Sequence, residues 1–292
     1  MEIHIVQKSV FPRPLPLSVL LGEDLQYGCY EGMHLTPGKT NKYGFTAFLP
    51  QAIGRGIRVR WQDGEEKEVT ITLPLPTSDE EIAAFLGMVL RTARHWTCSL
   101  FLNGDPVTTH RIIDMEEDVQ ILNLRILHEM MLPMLTAEDQ VLSFSCAMHR
   151  ISCGKKEAES FWSGTTPNAF RDWMHALQSQ VCFIAEAELF ADDDAHTGVL
   201  TVPSNVPVVL PLQPEVPLPY YDLNNGTAEI QVNRWYARLY SSAEGRAVGM
   251  IPYNLFLSRL EGLNTSYYDA SDFRLEALSE EDLYHLSEGG LL

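Results

Sequence analysis

The chain has 292 residues, 45% of them hydrophobic and 21% charged, a globular composition that excludes a wholly disordered chain and supplies one large core or two ordinary ones. Its 21 Lys and Arg stand against 39 Asp and Glu for a net charge of −18, which works against direct nucleic-acid binding, since that draws on cations to neutralise phosphates. The longest apolar runs are broken by charge or proline well before the roughly 20 residues of a membrane span, and the N-terminus lacks signal-peptide order, so a soluble, cytoplasmic protein is expected.

Pro12, Pro14 and Pro16 interrupt any helix near the N-terminus. The clearest local pattern covers residues 56–73. Ile57, Val59 and Trp61 alternate with Arg58 and Arg60, Asp63-Gly64 is a favoured turn, and Val69, Ile71 and Leu73 resume the alternation. This predicts a β-hairpin with one buried face. Pro74 and Pro76 end its second strand, and Ser78 with Glu81 has the spacing of a capping box ahead of Ile82, Phe85, Leu86, Val89 and Leu90. A helix to about Arg94 follows, then a strand over residues 98–102 stopped by Asn103-Gly104, for a β-β-α-β order. Asp114 is a fitting N-cap for a second helix with Val119, Leu122, Ile126 and Leu127 near one face and Pro133 closing it. This helix is expected to join two halves.

Residues 140–152 read as a strand, Thr166-Pro167 opens a helix carrying Phe170, Trp173, Met174 and Leu177, and residues 181–190 read as a further strand. The second half thus echoes strand, helix, strand, leaving open a divergent duplication into two β-β-α-β-like halves. Pro203, Pro207, Pro211, Pro214, Pro217 and Pro219, with Val and Leu between them, predict an extended segment lying on the fold. A second hairpin is expected from residues 228–240 and 246–251, a late strand around Phe273 and Leu275, and a short C-terminal helix started by Ser279 with Asp282 and ended by Gly289-Gly290. The expected fold is α+β, with mixed, mainly antiparallel sheets and helices packed on one face. Two subdomains are expected, residues 1–135 and 136–292, the second holding the proline-rich segment near 203–219.

Candidate chemistry is sparse. Asp192, Asp193 and Asp194 with His196 form the one cluster that could hold a hard divalent cation, although the alternating ligands, central Gly and distant Glu of an EF-hand are missing. An acidic solvated loop is the competing reading. His95, His110, His128, His149 and His175 follow no metal or catalytic spacing. Cys29, Cys98, Cys146, Cys153 and Cys182 are odd in number and spread without a Cys-x-x-Cys pair, which fits reduced thiols. No serine stands in a Gly-x-Ser-x-Gly elbow, and Gly54-Arg55-Gly56 completes neither nucleotide-binding glycine motif. No cofactor is expected. Trp235, Tyr236 and Tyr240 are the candidate partner-binding aromatics, with core packing as the alternative.

The run Gly54-Arg55-Gly56-Ile57, Val59 and Trp61, then Leu73-Pro74-Leu75-Pro76 and Glu80-Glu81-Ile82, resembles the start of an uncharacterised bacterial family of similar length. The first third of the chain carries the resemblance. It implies a bacterial cytosolic setting and no particular chemistry.

The charge of −18 and the lack of catalytic motifs point to a non-enzymatic binding or inhibitor protein, for instance an immunity-like protein masking a basic protein partner. The alternatives are a metal-assisted hydrolase acting through Asp192, Asp193, Asp194 and His196, and a component of a larger assembly joined through strand edges.

Overall fold

The computed structural model describes residues 1–292 except 10, 12, 32, 33, 62–66, 138, 139, 164, 165, 193, 194, 217–220, 223–226, 229, 230, 291 and 292. The backbone divides into two units, Met1–Gln180 and Val181–Leu292. The boundary expected near residue 135 falls inside the first of them.

The first unit opens with β1 (Glu2–Gln7), α1 (Leu17–Leu21), β2 (Gln26–Glu31), β3 (His34–Pro37) and β4 (Gly44–Phe48). The predicted hairpin follows as β5 (Ile57–Trp61) and β6 (Glu68–Thr72), antiparallel with Val59 opposite Ile71. Its Asp63-Gly64 turn lies outside the described residues. Next come α2 (Asp79–His95), β7 (Cys98–Leu102), β8 (Asp105–Val107), α3 (Thr109–Asp114) and α4 (Glu116–Thr136). β9 (Leu142–Ser145), β10 (Arg150–Cys153), α5 (Lys155–Ser163) and α6 (Thr166–Gln178) complete the unit.

Strands β1 to β8 form one antiparallel sheet in the order β3-β2-β4-β5-β6-β1-β7-β8. The β-β-α-β order is present, but β1 sits between the hairpin and β7, with Ile3 paired to Ile71 on one side and Leu102 on the other. Alternation puts Ile3, Ile5, Ile57, Val59, Val69 and Ile71 on one face, where Ile82, Phe85, Leu86 and Val89 of α2 cover them. The segment expected to be one strand at 140–152 is instead the hairpin β9–β10, bent at residues 147–149.

The second helix differs from its expected form. α4 continues three residues past Pro133, because a proline in the last turn removes a single backbone bond and leaves the turn beyond it intact. Its buried face is Val119, Asn123, Leu127, Met131 and Met134, while Leu122 and Ile126 are half-exposed.

The second unit comprises β11 (Phe183–Ile184), β12 (Ala187–Asp192), β13 (Ala195–Pro203), β14 (Val208–Pro211), β15 (Tyr221–Asp222), β16 (Thr227–Ala228) and β17 (Val232–Ser241). β18 (Arg246–Pro252), α7 (Tyr253–Arg259), β19 (Thr265–Tyr267), β20 (Asp272–Leu275) and α8 (Glu280–Ser287) follow. The strands make sheets ordered β12-β13-β17-β18 and β11-β14-β20-β19, with β15 and β16 paired separately. All pairs in the unit are antiparallel except β11–β14 and β13–β17. The run at 181–190 thus divides between two sheets. Part of the proline-rich segment is β14, with Val208, Val209 and Leu210 buried and Pro211 at the strand end, where a missing N–H is tolerated. α7 and α8 pack on β17 and β18 around Leu239, Ile251, Phe256 and Leu283. The fold is α+β with open, mainly antiparallel sheets. Among the described residues no helix is long and apolar enough to cross a membrane.

Candidate functional site

The densest polar network in the first unit gathers around Gly54-Arg55-Gly56. Glu81, in the first turn of α2, is fully buried and its carboxylate accepts from the Arg55 N–H at 2.8 Å, the Gly56 N–H at 2.8 Å and the Thr77 hydroxyl. The Arg55 guanidinium donates through Nε to Ser145 O at 2.8 Å and through Nη1 to Pro76 O at 3.3 Å, and lies 5.2 Å from the centre of the Phe144 ring. Gln178 of α6 donates to Gly54 O at 2.9 Å and accepts from Met148 N, while His175 Nδ1 accepts from Ile53 N at 3.1 Å.

The glycines follow from this geometry. A Cβ on Gly54 would sit 2.3 Å from Glu81 Oε2, and Gly56 holds φ at 76°. Burial pushes the Glu81 carboxyl up in pKa despite the donors around it, and lowers that of Arg55. Burial also raises the Tyr30 hydroxyl to about 12, where it donates to Cys146 O at 2.6 Å. The hydrogen bonds of this network tie the 53–56 loop to α2, β9 and α6.

The second notable surface is α4 with its neighbours. Asn123 makes a two-bond clasp, accepting from Thr77 N at 2.8 Å and donating to Thr77 O at 2.9 Å, both buried. The clasp fixes the rotation of the helix about its own axis. It turns Val119, Leu127 and Met131 inward and leaves Ile121 63% and Leu132 53% exposed, beside Ile113 of α3 at 55% and Trp162 of α5 at 51%. His128 ties the last of these to α4, its ring centre 5.1 Å from that of Trp162. Around these apolar side chains stand Asp114, Glu116, Glu117, Asp118 and Glu129 against Arg111 and Arg125. Arg111 is paired with Asp118 at 2.7 Å and His110 with Asp114 at 2.7 Å. Periodicity did not single these residues out, because along the exposed side of α4 Ile121 and Leu132 are separated by Arg125 and Glu129.

The site residues predicted from sequence fall in the second unit. Asp192 and His196 belong to the paired strands β12 and β13, opposite Ala195 and Ala191, and Asp193 and Asp194 lie outside the described residues. Among the described residues no three His, Cys, Asp or Glu side chains gather in metal-binding geometry. Trp235 packs against the core of the unit, its ring over Gly198, where a Cβ would approach to 2.2 Å. Trp235 and Tyr236 border one cleft of about 450 Å³, whereas Tyr240 borders another of about 440 Å³ with Phe183 and Arg238. The three aromatics are not one patch.

Glu81 carries a different lesson. Ser78 Oγ accepts from Glu81 N at 3.1 Å as predicted, but the Glu81 side chain turns to the 53–56 loop and does not close the capping box. Of the segments that carried the family resemblance, Gly54, Arg55, Gly56, Pro76 and Glu81 take part in this network. None of the curated proteins and none of the solved structures compared with the chain matches it. A family model described as Domain of unknown function (DUF4299) matches residues 1–286, extending the resemblance far beyond the first third, and the chain belongs to that family.

Proposed function

We propose that the chain is a non-enzymatic protein-binding protein that docks a basic partner on the α3–α4–α5 face. The observation that carries this reading is the exposure of Ile113, Ile121, Leu132 and Trp162 above one half on neighbouring helices. Isolated exposed apolar residues are ordinary; four of them on packed helices, interleaved with charged residues, support an interaction surface. The charged residues are mainly acidic, with five carboxylates in α3 and α4 against two arginines, and the whole chain carries −18. A basic amphipathic segment is complementary to it in both respects.

Covering a half-exposed Ile, Leu or Trp gains on the order of 1 kcal/mol each. Four such residues therefore supply about half of the roughly 8 kcal/mol of a micromolar complex, before any cost of immobilisation. Charge complementarity has to contribute the rest, which makes the complex salt-sensitive. An inhibitor that masks a basic protein is the concrete form of this reading.

Affinity capture from native lysate, with the wild-type chain and the Ile121→Asp/Leu132→Asp variant side by side, tests it. The expected result is a basic protein retained by the wild type, released by raised salt and not retained by a variant that unfolds at the wild-type temperature. A partner retained equally by the variant, or no specific partner, overturns the reading.

A further inference from the structure

We propose that a second site in the first unit, the cleft of about 310 Å³ over β2, β4 and β5, binds the oxyanion group of a small molecule, a phosphate or a carboxylate, between Arg58 and Arg60.

Arg58 and Arg60 stand on the face of β5 turned away from α2, two residues and so about 7 Å apart along the strand. Their cross-strand neighbours are Thr46 and Thr72 for Arg58, Gly44 and Thr70 for Arg60, with no carboxylate among them. In a chain with nearly twice as many acidic as basic residues, 39 against 21, that is a marked local inversion. The described residues lining the cleft include no Asp or Glu, and among the described residues neither arginine has an ion-pair or hydrogen-bond partner. A third cation, Lys42, has its Nζ 4.6 Å from the centre of the ring of Tyr43, a lining residue. Arg58 is also near enough to Arg55 to disfavour the charge of that buried guanidinium. Among the described residues that line the cleft these cations meet no carboxylate, an arrangement that favours an anion between them.

The cleft has a structural cause. Gly44 holds φ at 144°, and a Cβ there would lie 1.8 Å from Val59 O, so the position opposite Arg60 is confined to glycine and stays empty of side chain. The cleft opens beside that gap. Thr46 lines it together with Arg58 and Arg60, whose guanidinium forks suit the planar, bidentate geometry of phosphate and carboxylate. Tyr30 and Tyr43 line it too, Tyr43 being 62% exposed, and give an aromatic surface for the body of a ligand. A volume of about 310 Å³ lies at the small end of ligand pockets. The net charge of −18 disfavours long polyanions, which would meet repulsion beyond the cleft. A compact anion is met by the local cations alone.

Calorimetric titration of the full chain with pyrophosphate in one arm and succinate in the other, at low ionic strength, tests the site. Binding in either arm, weakened at least tenfold by Arg58→Ala and by Arg60→Ala and only partly restored by Arg58→Lys, is the expected result, and the stronger arm names the ligand class. An Arg246→Ala control, in the second unit, should bind as the wild type does. Ile121→Asp/Leu132→Asp should also bind normally, so failure here is distinguishable from failure of the docking face. No heat in either arm, or binding that Arg58→Ala/Arg60→Ala leaves within twofold while the chain stays folded, overturns the proposal.

Discussion

Helices α2 and α4 are the two long helices of the first unit, yet they treat their apolar side chains differently. α2 buries Ile82, Phe85, Leu86, Met88 and Val89 under the sheet and turns Ala83, Gly87, Arg91 and Arg94 away from it. Its outward face is small or polar, and Arg91 donates to the last carbonyls of α1 at Val19 O and Leu20 O. α4 buries Val119, Leu127, Met131 and Met134, and its exposed side carries Ile121 and Leu132 among Glu117, Asp118, Arg125 and Glu129. α2 thus keeps its large apolar residues for folding, whereas α4 also leaves Ile121 and Leu132 exposed between charged residues.

The largest effects should come from the folding faces. Phe85→Ala in α2 and Leu127→Ala in α4, both fully buried, should each cost about 2–5 kcal/mol in urea unfolding. Leu132→Ala, on the same helix but facing outward, should stay within about 0.5 kcal/mol. Equal losses at Leu127 and Leu132 would erase the distinction between the faces of α4.

The next effect concerns what orients α4. Asn123→Ala leaves the Thr77 N–H and C=O without partners in a buried position, and should cost about 2–3 kcal/mol. Asn123→Leu should allow α4 to roll and bury part of its outward stripe, read as slower labelling of a cysteine placed at Ile121. Unchanged labelling would mean that packing alone sets the rotation.

Smaller effects divide by sign with pH. Glu81 has a folded pKa raised by burial, so its contribution is fully present below the unfolded value of about 4.3 and is lost as pH rises through the folded value. Asp282 has a folded pKa lowered by the Ser279 hydroxyl and backbone N–H, so its contribution is present above about 3.9 and is lost as pH falls through the lower folded value. Unfolding profiles between acid and neutral pH should therefore change in opposite directions for Glu81→Gln and Asp282→Asn. The Asp282 effect should be the smaller, at most about 1 kcal/mol, since that carboxylate is exposed. Parallel changes would contradict the assignment of Glu81 to the buried loop.

These two residues also mark how far the sequence could be read. Ser78-x-x-Glu81 and Ser279-x-x-Asp282 have the same spacing, and both serines cap a helix. Only Ser279 with Asp282 closes the box, because that helix start is exposed and has no competing donors. At Glu81 the donors arrive from Arg55 and Gly56, 26 and 25 residues away, a meeting that local spacing does not encode. The hairpin β5–β6 and the helix α2 were legible because a period of two and then of 3.6 is written in adjacent residues. The central place of β1, the division of 181–190 between two sheets and the break at 147–149 depend on which strands meet, which is set by long-range pairing. The exposure of Ile121 and Leu132 was hidden for a related reason: which side of α4 turns inward goes with Asn123 reaching Thr77, 46 residues away.

The central claim is that the outward face of α4 is an interface and that of α2 is not. Thiol labelling of Ile121→Cys, Leu132→Cys and Ala83→Cys, each in the free chain and in complex with the captured partner, tests it most directly, with the wild type as the background for the native cysteines. The account predicts fast labelling at all three positions in the free chain and, in the complex, protection at residues 121 and 132 but none at residue 83. Unchanged labelling at residues 121 and 132 in the complex, or protection confined to residue 83, would contradict it.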